Sequence, residues 1–160
     1  MKSKTFSITL LTFLMVVFTG ITSIYARQFS RQDTLRGSIT AERAWWDLTY
    51  YHLSVAVEIS DRRISGSNLI QYKVLDSHQT MQIDLQKPLV ISRITQNSKA
   101  LNFRRVGSAF FIELEEEQIP GDINEITVYY SGKPVVAARP PWDGGFTWTE
   151  DSNGKPFVAT

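Results

Sequence analysis

The 160-residue chain contains no cysteine. Without a thiol it forms no disulfide framework, holds no metal through thiolates and carries no lipid on a cysteine. The fold must therefore be stabilised by its hydrophobic core alone. The ~130 residues expected after removal of a leader are enough to build that core as one domain.

Histidine is also scarce, because only His52 and His78 are present. A zinc site of the H-E-x-x-H type needs two histidines one helical turn apart, with a glutamate as general base. These two histidines are 26 residues apart and neither has a neighbouring glutamate, so that motif is absent. For both we predict a surface or hydrogen-bonding role.

The chain also has no large excess of either basic or acidic side chains. Removal of the first 26 residues takes away Lys2 and Lys4, which leaves 15 basic and 16 acidic side chains, a net charge of −1. The two signs are interspersed along the rest of the chain. This pattern gives no support for a nucleic-acid partner or for binding to an anionic membrane.

The first 26 residues have the composition of an export signal. A basic start is followed by an apolar run from Phe6 to Phe18 and then by small residues up to Ala26. The run is shorter than the about 20 apolar residues that a spanning helix needs. We therefore predict a signal peptide over residues 1–26, cleaved after Ala26, and an exported protein, periplasmic or secreted, that contacts a membrane only through this segment before cleavage.

From residue 50 onward the hydrophobic period is two rather than 3.6. Met81, Ile83 and Leu85 alternate with polar residues that include Gln82, which predicts a strand with one wet face. Similar short runs follow one another at intervals of roughly 10 residues, with Gly, Pro, Asn and Asp between them. The pattern predicts an all-β fold, an antiparallel β-sandwich, with no helix apart from a turn near residues 40–46.

The two ends of this β region differ from its middle. Residues 27–38 are polar, and we expect them to form a flexible lead. The β domain is expected to span residues 39–160. Residues 150–154 predict a hairpin turn, after which Phe157, Val158 and Ala159 begin an apolar strand. We interpret the domain as incomplete at its C-terminal end.

Residues 139–148, R-P-P-W-D-G-G-F-T-W, form a conformationally costly loop. Two prolines fix φ, two glycines permit positive φ, and two tryptophans flank them. Together with R-A-W-W-D at residues 43–47 and Y-Y-H-L at residues 50–53, this loop resembles the N-terminal domain of the aminopeptidase N family of zinc metallopeptidases, which includes leukotriene hydrolase. The resemblance runs from about Asp33 to Thr160.

The resemblance implies a saddle-like β-sandwich truncated before its catalytic domain. The parent enzyme would bind zinc and remove N-terminal residues from peptides, whereas this chain would hold no zinc and be inactive alone. Its partners would be its own missing catalytic domain and peptide substrates. The candidates for the cleft or the domain interface are Pro141, Trp142, Asp143, Gly144, Gly145, Phe146 and Trp148.

Two other clusters favour structural roles. The aromatic residues Trp45, Trp46, Tyr50 and Tyr51 are typical of a plug at the open end of a sandwich, although aromatics also make sugar or peptide platforms. The acidic run around Glu115 is typical of a solvated strand end. A different hypothesis for the whole chain is a stand-alone secreted binding module for peptide or carbohydrate that uses the tryptophan-rich loops.

Overall fold

Two antiparallel sheets and a hairpin account for most residues in the computed structural model, which describes residues 29–160. The larger sheet has five strands in the order β1-β2-β8-β4-β5, the smaller sheet has the order β3-β7-β6, and β9 pairs with β10. The strands are β1 (Trp46–Glu58), β2 (Arg63–Val74), β3 (His78–Asp84), β4 (Val90–Gln96), β5 (Lys99–Ala100), β6 (Asn102–Val106), β7 (Ala109–Gln118), β8 (Ile123–Gly132), β9 (Thr147–Glu150) and β10 (Pro156–Ala159). The predicted antiparallel β fold is confirmed at this level.

The two sheets share one hydrophobic core. Buried side chains from β2, β4 and β8 of the larger sheet meet those from β3 and β7 of the smaller one. Tyr72, Ile94 and Ile112 are among the side chains completely enclosed there. The alternation that predicted these strands exists because every second side chain enters this core.

The four aromatic residues at the start of β1 differ in how deeply they are buried. Trp45 is buried, donates its indole N–H to the carbonyl of Thr80 at 2.9 Å and meets Tyr72 edge to face. Trp46 packs against the same core, whereas Tyr50 and Tyr51 remain half exposed. The predicted plug is therefore made by the two tryptophans.

Two short helices precede the sheets, α1 (Arg31–Gly37) and α2 (Ala41–Ala44). The second matches the predicted turn. The first lies within the lead that we expected to be flexible, and it starts at a capping box between Ser30 and Asp33. Polar composition favoured a loop here, but the cap supplies the helix with its first hydrogen bonds.

The wet face predicted for β3 is wrong at Gln82, which is only 1% exposed. Its side-chain oxygen accepts from the hydroxyl of Thr40 at 2.8 Å, and its amide donates to the carbonyl of Leu35 at 3.0 Å. The segment that carries α1 and α2 covers this face of the strand. Burial here is a tertiary effect that the alternation of β3 does not encode.

The predicted signal peptide, residues 1–26, lies outside the described residues. Among residues 29–160, the helices are too short to cross a bilayer.

Candidate functional site

The loop after β8 is held in shape mainly by the carboxylate of Asp143. This carboxylate accepts hydrogen bonds from the backbone N–H of Ala138 at 2.7 Å and of Arg139 at 2.8 Å. The N–H of Trp142 donates to the carbonyl of Arg139 at 2.8 Å and closes a turn. The loop is therefore an ordered structure although it lies on the surface.

The loop returns beside its own starting segment. Phe146 N–H donates to the carbonyl of Val135 at 2.7 Å, and Ala137 N–H donates to the carbonyl of Phe146 at 3.1 Å. Gly145 has φ of 138°, and a Cβ there would lie 2.8 Å from the carbonyl oxygen of Val135. Only glycine fits this crossing of the two segments.

The aromatic side chains of the loop have two different environments. Trp142 is 87% exposed. Phe146 and Trp148 are partly buried and stack with ring centroids 5.6 Å apart. The loop therefore presents one free indole from a base made of two packed rings.

The predicted candidates all lie in this one loop, but their structural roles differ. Pro141 and Gly144 are exposed beside Trp142, Asp143 ties the loop, and Gly145 permits the crossing. Their predicted position in a cleft or domain interface stays a prediction.

An apolar groove of about 690 Å³, lined in part by Phe146, lies between the two sheets. Sequence analysis missed it. One wall is the inner face of β1 and β2, with Leu53, Val55 and Asn68, and the other includes Ile83 and Leu85. Arg43 and Asp84, which form an ion pair, also line it.

Two buried polar atoms near this groove have no hydrogen-bond partner, Oδ1 of Asn68 and Nε1 of Trp148. Asn68 lines the groove, and Trp148 stacks on Phe146, which also lines it. An unpaired buried acceptor or donor is costly, about 1–3 kcal/mol. One sequence signal was available for Asn68, because it occupies an inner-face position of β2, two residues before the core residue Ile70.

The histidines and carboxylates of the described residues do not assemble into a metal site. His52 is exposed on β1. His78 stacks on Trp45, and its Nδ1 accepts from the N–H of Thr80 at 3.0 Å. Within residues 29–160 no three His, Cys, Asp or Glu side chains are grouped to hold an ion. This donor set does not fit zinc.

The acidic cluster on β7 is exposed, as predicted for a solvated strand end. Glu115 pairs with Lys99 at 2.5 Å. The hydrogen bond and charge of Glu115 raise the pKa of the Lys99 amine. Both side chains are largely solvated, so this pair adds little stability.

No protein-family model matches the chain, and no curated protein matches it. Solved structures do. The M1 zinc metallopeptidase from Deinococcus radiodurans matches with a TM-score of 0.54 at 16% identity, over 69% of this chain and 27% of that one. Leukotriene A4 hydrolase from Saccharomyces cerevisiae matches with a TM-score of 0.53 at 17% identity, over 71% of this chain and 18% of that one.

These matches lie in the N-terminal part of both proteins. The predicted resemblance is thereby confirmed for the fold. The chain spans less than a third of the length of either protein.

Proposed function

We propose that this chain is the N-terminal, non-catalytic β domain of an exported zinc-dependent aminopeptidase, an enzyme that removes N-terminal residues from peptides. Its role is to pack on the catalytic domain and to form one wall of the substrate cleft. The observation that carries the proposal is the shared fold with the N-terminal part of M1 zinc metallopeptidases. The saddle-like shape predicted for the sandwich belongs to the same proposal.

The chemistry of such an enzyme is supplied by the partner domain. Zinc there polarises the scissile carbonyl and activates a water, with a glutamate as base. The residues of this chain supply neither ligand set nor base, because its two histidines are far apart in sequence. The contribution of this chain is the surface that packs on the catalytic domain and forms one wall of the cleft.

The loop of residues 139–148 is the proposed contact with the catalytic domain. Trp142 is largely exposed and projects from an ordered loop. Because the loop is already ordered, less conformational entropy is lost when it binds a partner. Buried tryptophans are frequent energetic anchors of protein interfaces.

The first test is the DNA beyond codon 160. A continuous reading frame that encodes H-E-x-x-H supports the proposal. A stop codon at that point, with no such partner encoded nearby, counts against it.

The second test measures binding of the full chain to the H-E-x-x-H polypeptide by calorimetry. Trp142→Ala should weaken binding by about 2 kcal/mol, as for other tryptophan anchors. Phe29→Ala is the matched control, because Phe29 is 82% exposed but lies far along the chain from the loop. Equal affinity of both variants would place the contact elsewhere.

A stand-alone binding module for carbohydrate or peptide is the second candidate. The observation in its favour is the same exposed indole on an ordered loop, since aromatic faces also bind sugars and peptides. Saturable binding of an oligosaccharide by the full chain, lost in Trp142→Ala, would support it. Failure of the chain to bind any H-E-x-x-H polypeptide would point the same way.

Export is part of the proposal and has its own test. Mass spectrometry of the protein recovered outside the cytoplasm should find Arg27 as the first residue. An intact Met1 or Lys2 terminus in the membrane fraction would contradict cleavage.

A further inference from the structure

Residues 30–44, which we name the N-terminal strap, carry α1 and α2 and end at the buried Trp45. Trp45 donates its indole N–H to the carbonyl of Thr80 at 2.9 Å. Its own carbonyl accepts a hydrogen bond from the N–H of Leu75 at 2.7 Å. The C-terminal end of the strap is therefore fixed to the core.

The rest of the strap is attached to the smaller sheet mainly by polar contacts. The side chain of Gln82 accepts from the hydroxyl of Thr40 at 2.8 Å and donates to the carbonyl of Leu35 at 3.0 Å. Arg43 forms an ion pair with Asp84. Neither helix has a buried side chain. Each of these contacts contributes little net stability, because water replaces it when the groups separate.

The packing beneath α1 is loose. A cavity of about 140 Å³ lies between this helix and the sheet, lined by Gln32 and Leu35 of the strap and by Val106 and Ser108 of the sheet. Close-packed protein interiors have few voids of this size. The cavity is on the inner side of α1, so the loose packing does not depend on what lies outside the strap. Segments with few apolar contacts are those that open locally.

The surface beneath the strap does not require the strap to stay ordered. Gln82 and Phe111 lie opposite each other in the β3–β7 register, and both are buried. The guanidinium of Arg104 covers the ring of Phe111 at 4.1 Å from its centroid. If the strap leaves, Phe111 keeps this cover and the amide of Gln82 forms hydrogen bonds with water.

We propose that the N-terminal strap opens and closes as one unit on a hinge between Ala44 and Trp45 while both sheets stay folded. Gln82 is the residue that holds it closed. Opening removes Arg43 from the lining of the apolar groove and leaves its partner Asp84 there. The state of the strap thereby sets the charge at one end of the groove. This movement does not depend on the chain being part of a peptidase.

Hydrogen exchange of the full chain measures the opening. Within the strap, the N–H of Ser38 donates to the carbonyl of Thr34 and the N–H of Ala44 donates to that of Thr40, both at 3.0 Å. Helices this short are unstable once detached, so opening exposes both amides together. We expect them to share one protection factor, at least about 100-fold lower than that of the β8 amides. Urea below about 1 M should leave it nearly unchanged, because opening exposes little surface.

Gln82→Glu should favour the open strap. At about pH 7.5 the new carboxylate is buried beside the carbonyl of Leu35 and the carboxylate of Asp84, whereas in the open state it is in water. Protection of Ser38 and Ala44 should fall about tenfold or more. At about pH 4.5 the buried carboxyl is protonated and again donates a hydrogen bond, so the difference from the unaltered chain should shrink to less than about threefold.

Two control variants identify the movement. Gln86→Glu adds the same charge at an exposed position and should change protection of the strap by less than about twofold at either pH. Ile126→Val weakens the core of the larger sheet, where Ile126 is 1% exposed. It should lower protection of the β8 amides about threefold or more and leave Ser38 and Ala44 unchanged.

Three outcomes would overturn the proposal. Equal acceleration of the strap and β8 amides by Ile126→Val would mean that the strap is released only when the whole domain unfolds. A response of Ser38 but not Ala44 to Gln82→Glu would mean that α1 frays alone. Unchanged protection of both in Gln82→Glu would remove Gln82 from its role. None of these results involves the H-E-x-x-H polypeptide, so the test of the proposed function is independent of them.

Discussion

At the scale of single residues, Tyr72 shows how a polar group is accommodated between the two sheets. It is fully buried, donates its hydroxyl hydrogen to Oε1 of Gln118 at 2.8 Å and accepts from Nε2 of Gln96 at 3.1 Å. Burial raises the pKa of Tyr72 to about 12, and the hydrogen bond with Gln96 offsets part of that rise. The neutral phenol is therefore the form that the fold requires.

This shift predicts a loss of stability at high pH. Below an unfolded pKa of 10.0 the stabilisation is complete, and it is lost as the pH rises towards the folded pKa of about 12. The loss should be about 1–2 kcal/mol after allowance for solvent screening. Urea midpoints between about pH 9 and pH 11.5 measure it. Tyr72→Phe should show a flatter pH dependence, and an equal slope in both proteins would contradict the assignment.

Gln82 is one of the residues that tie the N-terminal segment to the smaller sheet. Gln82→Leu removes its bonds to Thr40 and Leu35 and leaves the carbonyl of Leu35 without its donor. We expect a loss of about 1–3 kcal/mol and faster hydrogen exchange in α1. Gln86→Leu is the matched control, because Gln86 is exposed. Equal stability of the two variants would contradict the tether.

At the scale of elements, the β9–β10 hairpin depends on its turn. Asp151 accepts from the N–H groups of Asn153 and Lys155, both at 2.8 Å. The bond from Lys155, followed by that from Asn153, lowers the pKa of the Asp151 carboxyl below its ordinary value of 3.8. The carboxylate is thus the form that closes the turn.

The hairpin should therefore open in acid. Its stabilisation by Asp151 is complete above pH 3.8 and is lost as the pH falls through the lower folded pKa. Exchange of the Asn153 and Lys155 amides should become less protected, relative to the chemical exchange rate, between about pH 5 and pH 2. Asp151→Asn should remove most of this pH dependence. A hairpin equally protected at both ends of the range would refute this role.

The elements also show what sequence patterns determine and what they do not. Alternation located the strands, because each inner side chain enters the shared core, and the glycine and aspartate signals of residues 150–154 located the turn at Asp151. The helix α1 was missed because it buries no side chain and depends on its cap. Ser30 followed by Asp33 was the available signal. The groove was missed because it requires knowledge of which strands are neighbours.

At the scale of the whole molecule, exposed apolar surface is concentrated near the C-terminus as well as on β1. Among residues 29–160, β10 pairs only with β9, and Phe157 is half exposed on it. Trp142 is exposed in the preceding loop. An open strand edge together with exposed aromatics favours association.

We therefore expect the chain without residues 1–26 to self-associate. Phe157→Lys should shift the sedimentation velocity distribution towards monomer, because a charge on β10 opposes edge pairing. Glu117→Lys alters the charge on an exposed part of β7 and should leave the distribution unchanged. A monodisperse unaltered chain with a cooperative melt would favour the stand-alone binding module.

The position of β8 has a consequence for the order in which the chain folds. Strand β2 pairs with β8 from Ile64 opposite Gly132 to Lys73 opposite Ile123, so the larger sheet cannot close before most of the chain has been made. Synthesis of residues 75–122, which lie between the two strands, takes about 2–10 s. During that time β1 is the only one of the two native neighbours of β2 that has been made. Once β8 has been made, it joins β2 to β4, and β1 is an edge strand of the sheet that residues 29–160 form.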